Sequence, residues 1–230
     1  MPVFPGAHWE PIPGHTDGPM QSYLGLVLHV NDANSYDLHD YFSRSDIEVS
    51  SHFQVGKDGK VFQYLDTDVT SWCQSDGNQT YLSVETQGFP NEKLTNLQVT
   101  SLASLYRWLH DVHNLPYQIA DKVGAHGFAW HGMGGTAWGG HFGCPGELRK
   151  AQRQAILNLA QDPSTEDDDM TPDQAKQLAD LHNWLANGNG PGQPNAGQTL
   201  AVTLATVQKL YNEVNVVKAS LAAIENKLGV

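Results

Sequence analysis

Leu24-Gly25-Leu26-Val27-Leu28-His29-Val30 is a short apolar run that closes at the turn-forming pair Asn31-Asp32. Its length and its bounds mark it as a buried strand, and a histidine stands at its end. Working outward, residues 36–42 read as a short helix with Ser35 as its cap. Residues 50–55 and 61–65, joined by Gly56-Lys57-Asp58-Gly59, read as a β-hairpin, and 82–86 as a further strand. Between Thr95 and Leu115 the residues Leu97, Leu102, Leu105, Leu109 and Val112 recur at helical spacing, and Pro116 ends that helix. Residues 147–161 form the last predicted helix of this region, with Leu148, Ala151, Ala155, Ile156 and Leu159 as its apolar set. The first 23 residues are rich in Pro, Gly and His and are expected to lie as an extended arm. Strands mixed with helices on this scale predict an α/β domain that closes near residue 162.

Beyond residue 162 the chain changes character. Asp162-Pro163-Ser164-Thr165-Glu166-Asp167-Asp168-Asp169 is an acidic, polar break and reads as a solvated linker. Thr171-Pro172 opens a short helix to about residue 186, and 187–197 is a Gly/Pro/Asn-rich spacer. Leu200, Val207, Val214, Leu221 and Leu228 then recur every seven residues, with Leu210, Val217 and Ile224 between them and Thr203 as the one break. Such a stripe predicts a coiled coil over 199–230, and with it self-association into a homo-oligomer.

Composition sets limits. The 230 residues carry 13 basic and 25 acidic side chains, a formal net charge of −12. A chain this acidic is not expected to bind nucleic acid or an anionic membrane surface through bulk charge. No run approaches the length of a membrane span, so no membrane insertion is expected. Met1-Pro2-Val3-Phe4-Pro5-Gly6 has neither a basic region nor a continuous apolar stretch, so no signal peptide is read and a cytoplasmic start is expected. Two cysteines, Cys73 and Cys144, are too few for a disulfide framework.

Chemistry is concentrated in three places. His29 ends the first strand; Gly124-Ala125-His126-Gly127 sits among small residues; and His141-Phe142-Gly143-Cys144-Pro145-Gly146 holds a thiol in a stiff turn before a helix. Two imidazoles and a thiolate are the three-ligand set of a catalytic zinc, whose fourth position is left for water. Trp72, Asn78 and Trp138 flank the expected cleft, where aromatic faces and an amide suit glycan or peptide contacts.

The order of these segments resembles the zinc-dependent N-acetylmuramoyl-L-alanine amidases, which share a peptidoglycan-recognition-like fold. The residues that carry the likeness are the strand ending in His29, Val49-Ser50-Ser51-His52-Phe53-Gln54-Val55 with its Gly56-Lys57-Asp58-Gly59 turn, Leu82-Ser83-Val84-Glu85-Thr86, Gly124-Ala125-His126, and Cys144-Pro145-Gly146. The resemblance covers about residues 22–160 and implies a mixed central sheet flanked by helices, with His29, one late histidine and Cys144 on zinc. His126 lies eighteen residues before Cys144 and His131 thirteen. Both intervals exceed the family spacing, so a loop such as Met133-Gly134-Gly135-Thr136 must be inserted. The Gly-x-His context favours His126, with His131 as the alternative. Glu85 matches the glutamate that handles the proton, and His52 reads as a buried structural histidine. Phe142 stands where the family commonly carries a lysine that steadies the oxyanion, and His141 beside it is the candidate replacement. The implied substrate is the amide between N-acetylmuramic acid and L-alanine in bacterial peptidoglycan, and the implied setting is a phage endolysin, held in the host bacterial cytoplasm until release. A non-catalytic peptidoglycan-binding module of the same fold is the alternative.

Overall fold

The structure is a computed structural model, and it describes residues 2–162. Along the chain run strand β1 (Ala7–Trp9), β2 (Gly25–Leu28), the single-turn helix α1 (His39–Phe42), β3 (Phe53–Val55), β4 (Val61–Gln63), β5 (Tyr81–Thr86), the long helix α2 (Asn96–His113), β6 (Gly127–Trp130), α3 (Glu147–Lys150) and α4 (Arg153–Gln161). Two 3-10 segments, Ser75–Gly77 and His131–Trp138, interrupt the loops. The strands form one mixed sheet in the order β1-β4-β3-β5-β2-β6. The predicted hairpin is the antiparallel β3–β4 pair, and every other neighbouring pair is parallel. The linker, helix and coiled coil expected over 163–230 lie outside the described residues. Among the described residues no helix is long and apolar enough to cross a membrane.

Side chains alternate across a strand, so parallel register sorts the residues into two faces. Leu26, Leu82 and Phe128 stand abreast across β2, β5 and β6, as do Leu28, Val84 and Trp130. Leu26, Leu28, Leu82, Val84 and Phe128 join Leu102, Leu105, Tyr106, Leu109, Ile156 and Leu157 in the main core, which lies under α2 and α4. The residues between them, Val27, Ser83 and Ala129, face the other side, where Val27 and Ala129 pack with Tyr81 and Trp138. Small residues on this second face leave room that the large side chains of the first do not.

Helix α2 begins at a capping box, with the Thr95 hydroxyl accepting from the Gln98 amide and the Gln98 side chain accepting from the Thr95 amide. It stops at Asn114, which is left-handed (φ 56°), just before Leu115-Pro116. Its buried stripe is Leu102, Leu105, Tyr106 and Leu109, whereas Leu97 and Val112, which share the predicted periodicity, are exposed. Three other expectations are corrected. Ser35 does not cap α1; its carbonyl accepts from the amide side chains of Asn31 and Gln54, and Leu38 occupies the cap position. The amino-terminal arm is in part an edge strand, β1 paired to β4. The last helix is broken at Ala151-Gln152 into α3 and α4.

That break turns a different face inward. Leu148 is 42% exposed, while Arg149 and Arg153 are buried. Burying a guanidinium is tolerated where its donors find acceptors. Arg149 donates to the Thr86 hydroxyl (2.7 Å) and to the carbonyls of Gln87 (3.1 Å) and Phe89 (3.2 Å). Arg153 donates to the carbonyls of Phe128 (2.8 Å) and Ala120 (3.1 Å) and to the Asp121 carboxylate (2.6 Å). Both arginines therefore tie loose strand-end acceptors to the helix. Arg149→Met should cost about 3 kcal/mol or more in urea unfolding, because buried acceptors lose their donors. Leu148→Ala should cost under about 1 kcal/mol. Equal losses would return the inward face to the one that the apolar pattern predicts.

Candidate active site

Because β2 lies between β5 and β6 in register, the residue that follows each aligned triplet falls at the same end of the sheet. After Leu28, Val84 and Trp130 come His29, Glu85 and His131. By alternation these three share the face of Val27, Ser83 and Ala129, on the opposite side of the sheet from α2 and α4. Parallel sheets place their chemistry at the carboxyl ends of the strands, and this site follows that rule.

His29, His131 and Cys144 each bring one ligand atom into a group in which all such atoms lie within 4.8 Å of one another. The expectation of His126 is thereby corrected. His126 precedes β6 and so lies at the opposite end of a four-residue strand, exposed, with its carbonyl accepting from Gln118. His131 follows β6 and is buried, its ring centroid 4.3 Å from that of His29. Its Nε2 donates to the Trp138 carbonyl (2.9 Å), so Nδ1 keeps its lone pair. Cys144 arrives from the far loop: its carbonyl accepts from the Gly132 amide (3.0 Å), and its Sγ accepts from the Val30 amide (3.4 Å). Gly146, which follows the Cys144-Pro145 pair, has φ +97° and packs against the Pro90 carbonyl, so a side chain there would be both strained and obstructed.

The electrostatics suit a bound cation. Burial, then the charge of His131, holds the His29 imidazole well below its usual range, and burial brings His131 down to about 4. Both rings are therefore neutral near pH 7, with lone pairs to give. Burial also pushes the Cys144 thiol well up, a penalty that a coordinated cation reverses. Glu85 is pushed up to about 8 by burial, against the pull of Cys73 and Arg149. Its Oε1 lies 3.9 Å from His29 Nδ1, while its Oε2 is buried with no hydrogen-bond partner among the described residues. An unpartnered carboxylate oxygen beside three converging donors fits a site whose complement includes a cation and water. The donor set of two imidazoles and a thiol suits a borderline-soft cation.

The family model for N-acetylmuramoyl-L-alanine amidase matches residues 19–147. The chain belongs to the N-acetylmuramoyl-L-alanine amidase family. No curated protein sequence matches it. Among solved structures it is similar to the hydrolase AmiA of Staphylococcus aureus, determined in complex with its ligand, at 15% identity and TM-score 0.53, covering 67% of this chain and 83% of that one. It is likewise similar to PlyL, at 15% identity and TM-score 0.53, covering 68% of this chain and 97% of that one. At such identities these likenesses speak for the shared fold.

In this amidase the triad and Glu85 open onto a cleft of about 740 Å³, lined also by Tyr41, Trp72, Cys73, His141 and Phe142. His141 stacks on His131 at 4.8 Å between centroids. Phe142 is 64% exposed, and among the described residues no lysine or arginine lines the cleft. Trp72 stacks on His15 (5.2 Å) and lines the cleft wall. Asn78 and Trp138 line a second hollow beside it, and both also hold the structure around it. Asn78 Oδ1 accepts from the amides of Cys73 (3.0 Å) and Gln74 (2.8 Å). Trp138 is buried, edge-on to Tyr81, and Gly77 and Gly134 lie too close to its indole for a side chain to intervene. At these two positions the absence of a side chain makes room for a tryptophan. Cys73, which the sequence reading gives no part in the site, lies 3.5 Å from His29 Nε2 and 3.9 Å from Glu85 Oε1. Its place directly after Trp72, in a loop leading to the Glu85 strand, is the one signal in the sequence that could have found it.

Behind the site, His52 is buried with Nδ1 accepting from the Ser83 amide (3.1 Å) and Nε2 donating to the Val69 carbonyl (2.8 Å). Burial, reinforced by His113, lowers it to about 4 from its usual 6.5. The folded protein then resists a proton that the unfolded chain accepts, so this stability is present above about pH 6.5 and is lost as pH falls toward 4. The loss is roughly 3 kcal/mol. Other buried histidines titrate too, so the measurement is the difference between wild type and His52→Gln in chemical denaturation at pH 7 and 4.5. Wild type should lose more stability than the variant; equal losses would show that His52 does not carry the effect.

Proposed function

We propose that this amidase is a zinc enzyme that hydrolyses the bond between the lactyl carbonyl of N-acetylmuramic acid and the amine of L-alanine. Family membership makes the chain a peptidoglycan amidase; its geometry supports the zinc dependence and the residue roles. The observation that carries the reading is the convergence of His29, His131 and Cys144 beside an unpartnered Glu85 oxygen. Two neutral imidazoles and one thiol are three of the four ligands of a catalytic zinc site. When bound, zinc polarises a carbonyl and acidifies water.

The chain's own residues do the rest. Glu85, which a bound cation would hold in its ionised form against the penalty of burial, takes a proton from the attacking water at its unpartnered oxygen. It returns that proton to the alanine nitrogen as the C–N bond breaks, so the amine leaves neutral. His141 offers a ring N–H toward the oxygen on which negative charge gathers, in the place of the lysine that Phe142 displaces. Trp72, Tyr41 and Phe142 give the cleft wall apolar faces for sugar rings and peptide. We further propose that the heptads over 199–230 join several such domains, so that each contact with the polymeric wall strengthens the next. Release from a host cytoplasm as a phage lysin is the setting that fits this reading.

A single zinc per chain should be found in wild type and in His126→Ala, and should be lost in His131→Ala and in Cys144→Ala. Glu85→Gln should keep the metal but release N-terminal alanine from purified cell wall about 10² to 10⁴ times more slowly. Loss of zinc in His126→Ala with retention in His131→Ala, or full activity in Glu85→Gln, would overturn the assignment.

A further inference from the structure

The three ligands do not hold themselves. At His131 the orientation is set by a carbonyl: Trp138 O receives Nε2–H, and Nδ1 is left for the cluster. At His29 the group beside Nε2 is the Cys73 thiol, at 3.5 Å. The next residue, Gln74, is fully buried, and its Nε2 donates to the Tyr81 carbonyl (2.8 Å). Reversing that amide would set two carbonyl oxygens together, so its Oε1 is the end left over. That oxygen is buried with no hydrogen-bond partner among the described residues, and the Gln74 side chain favours the proton-bearing form of the His29 imidazole.

The loop is built to keep both groups in place. Asn78 Oδ1 gathers the amides of Cys73 and Gln74, and the Gln74 carbonyl accepts from the Gly77 amide (2.9 Å). On its other side, Cys73 Sγ lies 3.9 Å from Glu85 Oε1.

We propose that Cys73 and Gln74 are positioning residues for His29: they receive its Nε2–H, so that Nδ1 is presented to the metal. The inference rests on the reading of His29, His131 and Cys144 as zinc ligands. The thiol hydrogen of Cys73 then points to Glu85, so that one loop orients both a ligand and the proton-handling carboxylate. Outer partners of this kind govern ligand orientation and basicity, and their loss weakens metal binding 10–100-fold.

The test compares wild type with Gln74→Met, Cys73→Ala and Cys73→Ser. Three quantities are read: zinc affinity by chelator competition, the visible spectrum of the cobalt(II)-substituted protein, and the melting temperature of the zinc-free protein. Gln74→Met should bind zinc about 10–100 times more weakly and shift the cobalt bands. Cys73→Ala should lose affinity in part while keeping the full thiolate-to-cobalt absorption of Cys144, and Cys73→Ser should recover it. Wild-type zinc affinity and cobalt bands in both Gln74→Met and Cys73→Ala would overturn the inference. So would losses that merely track the zinc-free melting temperature. A halved thiolate band in Cys73→Ala would overturn it differently, by making Cys73 a ligand. Failure of wild type to bind zinc would instead remove the ligand reading on which the inference stands.

Discussion

The site depends on the parallel registration of β2 between β5 and β6. Leu28 stands beside Val84 on one side and Trp130 on the other. Given that pairing, His29, Glu85 and His131 must emerge abreast, on one face and at one end. A slip of one residue in any strand would send its functional group to the opposite, helix-covered face. The network beyond the strand ends guards against this: Thr86 donates to the His29 carbonyl (2.5 Å) and in turn accepts from the buried Arg149. A charged side chain in α3 thus fixes the backbone that carries a metal-ligand candidate, without touching the cleft.

The same registration explains what could be read in the sequence and what could not. Strand β2, the hairpin, β5 and the long helix announce themselves through local patterns; His29 and Glu85 lie near the ends of two of them, and Cys144 in its own Cys-Pro-Gly turn. The second histidine required a non-local fact, the direction in which β6 runs beside β2. Once that direction is known to be parallel, a histidine that precedes β6 is at the wrong end and one that follows it is at the right end. The Gly-x-His context of His126 is a local likeness and carries no such information. The last helix misled for a related reason. Hydrophobic periodicity chose Leu148, but the sheet needed donors for its strand-end acceptors, and Arg149 and Arg153 supply them. Trp138 and Asn78 were legible as polar or aromatic neighbours of the site, not as the groups that fill and tie its floor. The coiled-coil stripe beyond residue 198 lies outside the described residues.

Burial does two opposed things here. It keeps the His29 and His131 rings neutral, which frees their lone pairs, and it raises the Glu85 carboxyl, which readies it to hold a proton. It also makes the thiolate of Cys144 costly until a cation shares its charge. Neutral nitrogen ligands and a penalised thiol are consistent demands on one bound cation, and Glu85 Oε2 has no hydrogen-bond partner among the described residues. The second face of the sheet can hold such a group because Ser83 and Ala129 are small, and because His52 and the Ser51 and Ser71 hydroxyls meet Ser83 from behind.

The departure at Phe142 bears on how the proposed reaction would be completed. A lysine at that position would bring a full charge to the developing oxyanion. Among the described residues no lysine or arginine lines the cleft, and the loop that would carry one turns through Gly139 and Gly140, with φ 84° and 78°. That turn places His141 over His131, ring on ring. An imidazole there exchanges a mobile point charge for a donor whose direction is fixed by stacking, and it presents an N–H in either protonation state. Preorganised donors stabilise a transition state because they need not reorient as charge develops. On this reading the loss of the family lysine is answered by geometry: the exposed Phe142 is left to the substrate's apolar groups, and the residue before it takes the oxygen.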